Sequence, residues 1–173
     1  MHVIECDIPT DSVLSRDLIS TAYFRDSYRV PLTRQGLSIV EIFFAVFGHR
    51  PLWMTALLIF RNGIAKLFGL EVPTVTEIVN PAVRETYAVG EKIGPWPVFH
   101  IGENEIVAGR NNKHLDFRLS VLRVMEGDAA SVVVSTICSV HNAFGKVYLF
   151  FIAPFHRSGV QSLMSNAVAA KRL

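Results

Sequence analysis

The sequence predicts an α+β protein: a curved antiparallel sheet wrapped around a long C-terminal helix, with two short helices after the first strand. Three observations predict it. Apolar residues recur at helical spacing between Ser38 and Gly69. From Pro95 onward the period drops to two, in four runs joined by short turns. The stretch from Phe144 to Ala170 then returns to helical spacing. Each of these elements has one apolar side to hide, and laying the last helix across the concave side of the sheet hides most at once.

Taken in order, Pro9-Thr10-Asp11-Ser12 supplies turn and cap residues and allows one helical turn nearby. Ala22 to Leu32 reads as a strand, with Tyr28 and Val30 alternating with Arg29. Ser38 followed by Glu41 is a capping box, in which each side chain satisfies the other residue's backbone N–H. Ile39, Ile42, Phe43, Val46 and Phe47 then form one buried helical stripe, closed by Gly48. Pro51 opens a second helix, whose stripe runs through Leu52, Ala56, Ile59, Phe60, Ile64, Leu67 and Phe68 to Gly69. From Val72 to Glu91 the pattern is broken by Pro73, Pro81 and Gly90, leaving one short helical turn at Thr76 to Val79. Gly90-Glu91-Lys92-Ile93-Gly94 reads as a turn.

The four later strands are Pro97 to Ile101, Glu105 to Arg110, His114 to Met125 and Ala130 to Asn142. Gly102-Glu103-Asn104, Asn111-Asn112 and Gly127-Asp128 connect them as hairpins. Glu103 and Glu105 are expected in solvent. Pro154 is expected to kink the final helix. A two-residue turn at Gly127-Asp128 puts His114 opposite His141, Asp116 opposite Ser139 and Phe117 opposite Cys138. A three-residue turn would set Asp116 opposite Cys138 and mix polar with apolar, so the first register is preferred. One face then carries His114, Asp116, Arg118, Ser139 and His141. The other carries Leu115, Phe117 and Leu119.

At 173 residues the chain suits one domain over 1–173, and half its residues are apolar against 18% charged. That composition excludes disorder. With 17 basic and 15 acidic residues and no basic stripe, it offers no nucleic-acid footprint. No apolar run reaches the roughly 20 residues of a membrane span. Met1 to Asp7 has neither the basic nor the apolar region of a signal peptide. Cys6 and Cys138 are far apart and lack metal-like spacing, so they read as reduced thiols in the cytoplasm. No phosphate loop, dinucleotide fingerprint, nucleophile elbow or zinc motif occurs, and neither cofactor nor metal is expected. The surplus apolar residues must line a large core, a cavity or an interface.

Several strings carry a resemblance: Tyr23…Asp26…Tyr28-Arg29-Val30-Pro31-Leu32, Val89 to Gly94, Lys113 to Val121, His141 to Tyr148, and Pro154-Phe155-His156-Arg157. Together they make the chain resemble the bacterial domain-of-unknown-function family DUF2867, whose members occur alone or fused behind NAD-binding epimerase-like domains. That family is similar to the START and polyketide-cyclase (SRPBCC) helix-grip superfamily. The resemblance implies a helix-grip fold that holds apolar or amphipathic ligands between sheet and long helix. It implies no nicotinamide site here.

Three functions follow as expectations. The first is binding of a small apolar or amphipathic ligand. Leu115, Phe117, Leu119, Thr136 and Cys138 would line the sheet side of its cavity, and Tyr148, Phe151, Ile152 and Phe155 the helix side. Trp96 and Tyr148 would offer polar handles at the ring edge. The second, ranked below it, is a cyclase or dehydratase using His114, Asp116, Arg118 and His141, which requires that polar face to look into the cavity. The third is an interaction module that homodimerises or docks an epimerase-like partner.

Overall fold

A computed structural model describes residues 3–14, 16–67 and 83–173. The expected turn at Thr76 to Val79 lies outside them. In chain order the elements are β1 (Ile4–Glu5), α1 (Arg16–Thr21), β2 (Phe24–Pro31), α2 (Ile39–Phe47), α3 (Leu52–Leu67), β3 (Lys92–Ile93), β4 (Trp96–Ile101), β5 (Glu105–Asn111), β6 (Leu115–Glu126), β7 (Ala129–Val140) and α4 (Ala143–Ala169). The strands form one curved antiparallel sheet in the order β1-β2-β7-β6-β5-β4-β3. β2 therefore crosses over to pair with β7, while β3 to β7 run as a meander.

The β6–β7 hairpin has the predicted register. Leu115 pairs with Val140, Asp116 with Ser139 and Phe117 with Cys138, through to Glu126 with Ala129. Gly127 makes the turn possible, because its φ of 62° lies where a side chain is strained. Register sets faces. Tyr28, Val30, Leu119, Val121, Val132 and Val134 share a core with Ile42, Phe43 and Val46 of α2 and with Val160, Leu163 and Met164 of α4. The Leu115–Phe117–Leu119 face thus looks at the C-terminal helix.

The start of α2 follows the capping-box expectation. Glu41 N donates to Ser38 Oγ at 3.2 Å, and Ser38 N donates to Glu41 Oε2 at 2.7 Å. Such a cap stabilises a helix by about 1 kcal/mol. These bonds, first the one from the Ser38 backbone, hold the Glu41 carboxyl below its ordinary range. In the helix that follows, Ile39, Ile42, Phe43, Val46 and Phe47 are all buried.

Three expectations are corrected and one strand is added. Lys92–Ile93 is not merely turn but a short edge strand pairing with Trp96 and Pro97, bracketed by Gly90 and Gly94 at positive φ. β1, which no periodicity signalled, pairs with β2 through Ile4 and Glu5. Of the α3 stripe, Ala56, Ile59 and Phe60 are exposed, whereas Met54, which lies outside that stripe, joins the core. Glu105, expected in solvent, is 4% exposed on the outer face. It accepts from Ser12 Oγ and Val13 N, both at 2.7 Å, and from Ser120 Oγ at 2.5 Å. Those bonds hold the N-terminal segment against the sheet, where Leu14 packs on Val107 and Ile137.

α4 runs through Pro154 as one continuous helix. Its N-cap, Asn142, accepts from Gly145 N at 3.0 Å. Gly145 itself sits hard against the sheet: a Cβ there would lie 2.3 Å from the His114 carbonyl oxygen. Gly145→Ala should therefore push the start of α4 off β6 and destabilise the protein by roughly 1–3 kcal/mol in urea titration. Gly63→Ala, in an open stretch of α3, should be neutral or stabilising by up to about 1 kcal/mol.

Candidate functional site

Asp116, Arg118 and His141 lie on the outer face of the sheet, as the register requires, while His114 turns to the start of α4. His141 Nε2 stands 3.2 Å from Asp116 Oδ1, and both side chains are partly solvated. Asp116 also accepts from Asn112 N at 3.1 Å. Arg118 does not pair with Asp116; its guanidinium lies 3.6 Å from the Phe99 ring centroid and donates to Asn111 Oδ1 at 2.7 Å. The His114 ring packs on Phe144 at 4.5 Å and meets the Asn142 side chain through Nδ1. His114, Asp116 and Arg118 are thus engaged with the β5–β6 turn or the start of α4, and His141 with Asp116. The inward polar face that cyclase or dehydratase chemistry required is not what the sheet presents.

The inner side holds the expected sheet residues. Leu115, Leu119, Thr136 and Cys138 are buried there, and Phe117 remains partly exposed. Trp96 meets Phe43, Phe47 and Phe117 edge-on at 5.9–6.3 Å, so it belongs to an aromatic cluster spanning α2 and β6. On α4, Tyr148 and Ile152 flank the buried stripe and are partly covered. Phe151 and Phe155 differ from expectation: they are 64% and 62% exposed. Helical phase explains it. At about 100° per residue they point roughly 200° and 240° round from Leu149, which is buried against Phe24 and Cys138.

Between the inner apolar groups runs a polar row that the sequence reading left unassigned. Phe24, Cys138 and Leu149 form one cluster; Tyr28, Val134, Leu119 and Val160 belong to the main core. The positions between them are Asp26 on β2, its register partner Thr136 on β7, and His156 on α4. His156 Nε2 lies 3.0 Å from Thr136 Oγ1 and 3.6 Å from Asp26 Oδ1. The Asp26 side chain is 1% exposed, and neither of its carboxylate oxygens accepts a hydrogen bond from the described residues. The Phe24 ring stands edge-on to the His156 ring at 5.8 Å.

This row shapes its neighbours. Burial, and after it the negative charge of Asp26, pushes the Cys138 thiol up to about 12. Burial also raises Tyr28, an effect opposed by a hydrogen bond with Gln161 and reinforced by Asp26. Half the signal for this row was in the sequence: Phe24, Asp26, Tyr28 and Val30 alternate, which puts a carboxylate on an apolar face. The other half, the meeting of β2 with the middle of α4, depends on long-range packing.

Among the described residues no group of three or more His, Cys, Asp or Glu side chains is placed to hold a metal ion, and no helix is long and apolar enough to cross a membrane. The thiols offer a direct check on the inner layer. In native protein at pH 8, iodoacetamide should leave Cys138 unmodified, and in guanidinium it should alkylate both Cys6 and Cys138, as read by peptide mass spectrometry. Native alkylation of Cys138 would place that layer in contact with bulk solvent.

The family model for a protein of unknown function, DUF2867, matches residues 18–163. No curated protein and no solved structure matches the chain. The matched span includes the strings that carry the resemblance and all three residues of the polar row, and on it the chain belongs to the DUF2867 family.

Proposed function

We propose that this protein binds a small apolar or amphipathic molecule between the sheet and the first half of α4, in the manner of a helix-grip fold. One observation carries the reading. Phe117, near the start of β6 on the helix-facing side, is only half-buried. Over the second half of α4, by contrast, Val160, Leu163, Met164 and Ala167 are sealed against the sheet and α2. The inner layer is sealed along the second half of α4 and less completely at Phe117, although Leu115, Cys138 and Leu149 are buried near it. The proposed site is walled by Trp96, Phe117, Leu115, Tyr148 and Ile152, with Thr136 and Cys138 behind them. Mostly apolar walls with a few polar groups are what small-molecule sites use.

The uncharged fluorophore N-phenyl-1-naphthylamine tests this. It should bind saturably with 1:1 stoichiometry and quench tryptophan emission. Phe117→Lys should weaken it about tenfold or more, since a buried charge would replace an apolar wall. Arg118→Gln, on the opposite face, should leave it unchanged. Absence of saturable binding to the wild-type protein overturns the reading.

A second reading, self-association, is favoured by a separate feature. Val147, Phe150, Phe151 and Phe155 line one exposed side of α4, a larger apolar stripe than isolated surface residues make. Sedimentation velocity at micromolar concentration should then show a dimer that Phe151→Glu returns to monomer. A monomeric wild-type protein removes this reading.

A further inference from the structure

Asp26 is the feature that apolar binding alone does not use. An ionised carboxylate has room for about four hydrogen bonds. Here it is 1% exposed, and the described residues give it none. Burying such a group without partners is unfavourable by several kcal/mol. The groups facing it are few. His156 Nε2 approaches from α4 at 3.6 Å, but that same nitrogen lies closer, at 3.0 Å, to Thr136 Oγ1. Phe24 and Tyr28, two residues to either side on the same strand, present aromatic rings. The guanidinium of Arg157 lies 5.2 Å from the Phe24 ring centroid, on an exposed side chain. A buried acceptor beside aromatic rings favours a donor, and a cationic donor most of all.

We infer that Asp26, with Thr136 and His156 beside it, receives a hydrogen-bond-donating head on the apolar ligand, an ammonium in preference to a hydroxyl. This rests on the binding reading above and names the chemical class of its ligand: an aliphatic or aromatic amine, with the matching alcohol next. Charge-assisted bonds are roughly twice as strong as neutral ones, which sets that order. A carboxylate head would bring a second negative charge against Asp26 in a dry site and is rejected.

The test holds the tail constant and changes the head. Calorimetric titrations of the full chain use 1-aminodecane, 1-decanol and decanoate, each below its micellar concentration. Wild type should bind 1-aminodecane about tenfold or more tighter than decanoate, with 1-decanol between them. The chain carries a net charge of +2, so unspecific attraction would favour decanoate and cannot produce this order. Asp26→Asn should level the series, because the amide no longer offers a charged acceptor to the ammonium. Equal affinities in wild type, or decanoate tightest, overturn the inference and leave apolar binding standing. Failure of all three ligands and of the fluorophore overturns both. Because the decisive ranking is made on wild type, the inference remains falsifiable if Asp26→Asn does not fold.

Discussion

The two-residue turn at Gly127 is the constraint on which the rest depends. A one-residue slip in that hairpin would exchange the faces of β7 relative to β6. Phe117 and Leu119 would then stand beside Ser139 and Ile137, and neither side of the sheet would be consistently apolar. With the observed register, Leu115, Phe117, Leu119 and Val121 share one side with Val140, Cys138 and Val134, and Asp116 and Ser120 share the other with Ser139 and Ser135. One side takes α2 and α4 and becomes the core. The other takes the N-terminal segment, and there Glu105, Ser120 and the Ser27–Ser135 pair satisfy one another.

Given that separation, the polar row on the inner side is the feature in need of a reason. Asp26, Thr136 and His156 occupy positions that Val, Leu or Phe would fill with less cost. They interrupt the inner layer between the Phe24–Cys138–Leu149 cluster and the main core. The outer cluster of His114, Asp116, Arg118 and His141 shows the contrasting case. Its groups are solvated or paired with nearby turn residues, and stabilising the β5–β6 turn and the α4 cap accounts for them. Polarity in a solvated place asks for little explanation; polarity enclosed by aromatic rings asks for a partner.

Much of the architecture was legible because it is local. The Ser38–Glu41 box, the α2 stripe and the β6–β7 pairing are written within a few residues or one tight turn. What was missed depends on distance. Glu105 looked like a hairpin-end carboxylate, and only Ser12 and Val13, more than ninety residues earlier, bury it. β1 is two residues long and has no period to read. The aromatic character of Phe151 and Phe155 suggests a pocket lining, whereas helical phase turns them outward. Asp26 and His156 were each visible within strings that carry the family resemblance, but nothing local says that they meet.

β2 bears on how the protein comes to exist at all. It emerges early in synthesis, yet its ladder partner is β7, more than a hundred residues later, and His156 follows later still. Contacts so remote carry a large closure entropy and form late. The β6–β7 hairpin can close on itself soon after it leaves the ribosome, whereas β2 must wait with an unpaired edge. The acid, hydroxyl and imidazole therefore come together only as the last strand-to-strand seam shuts.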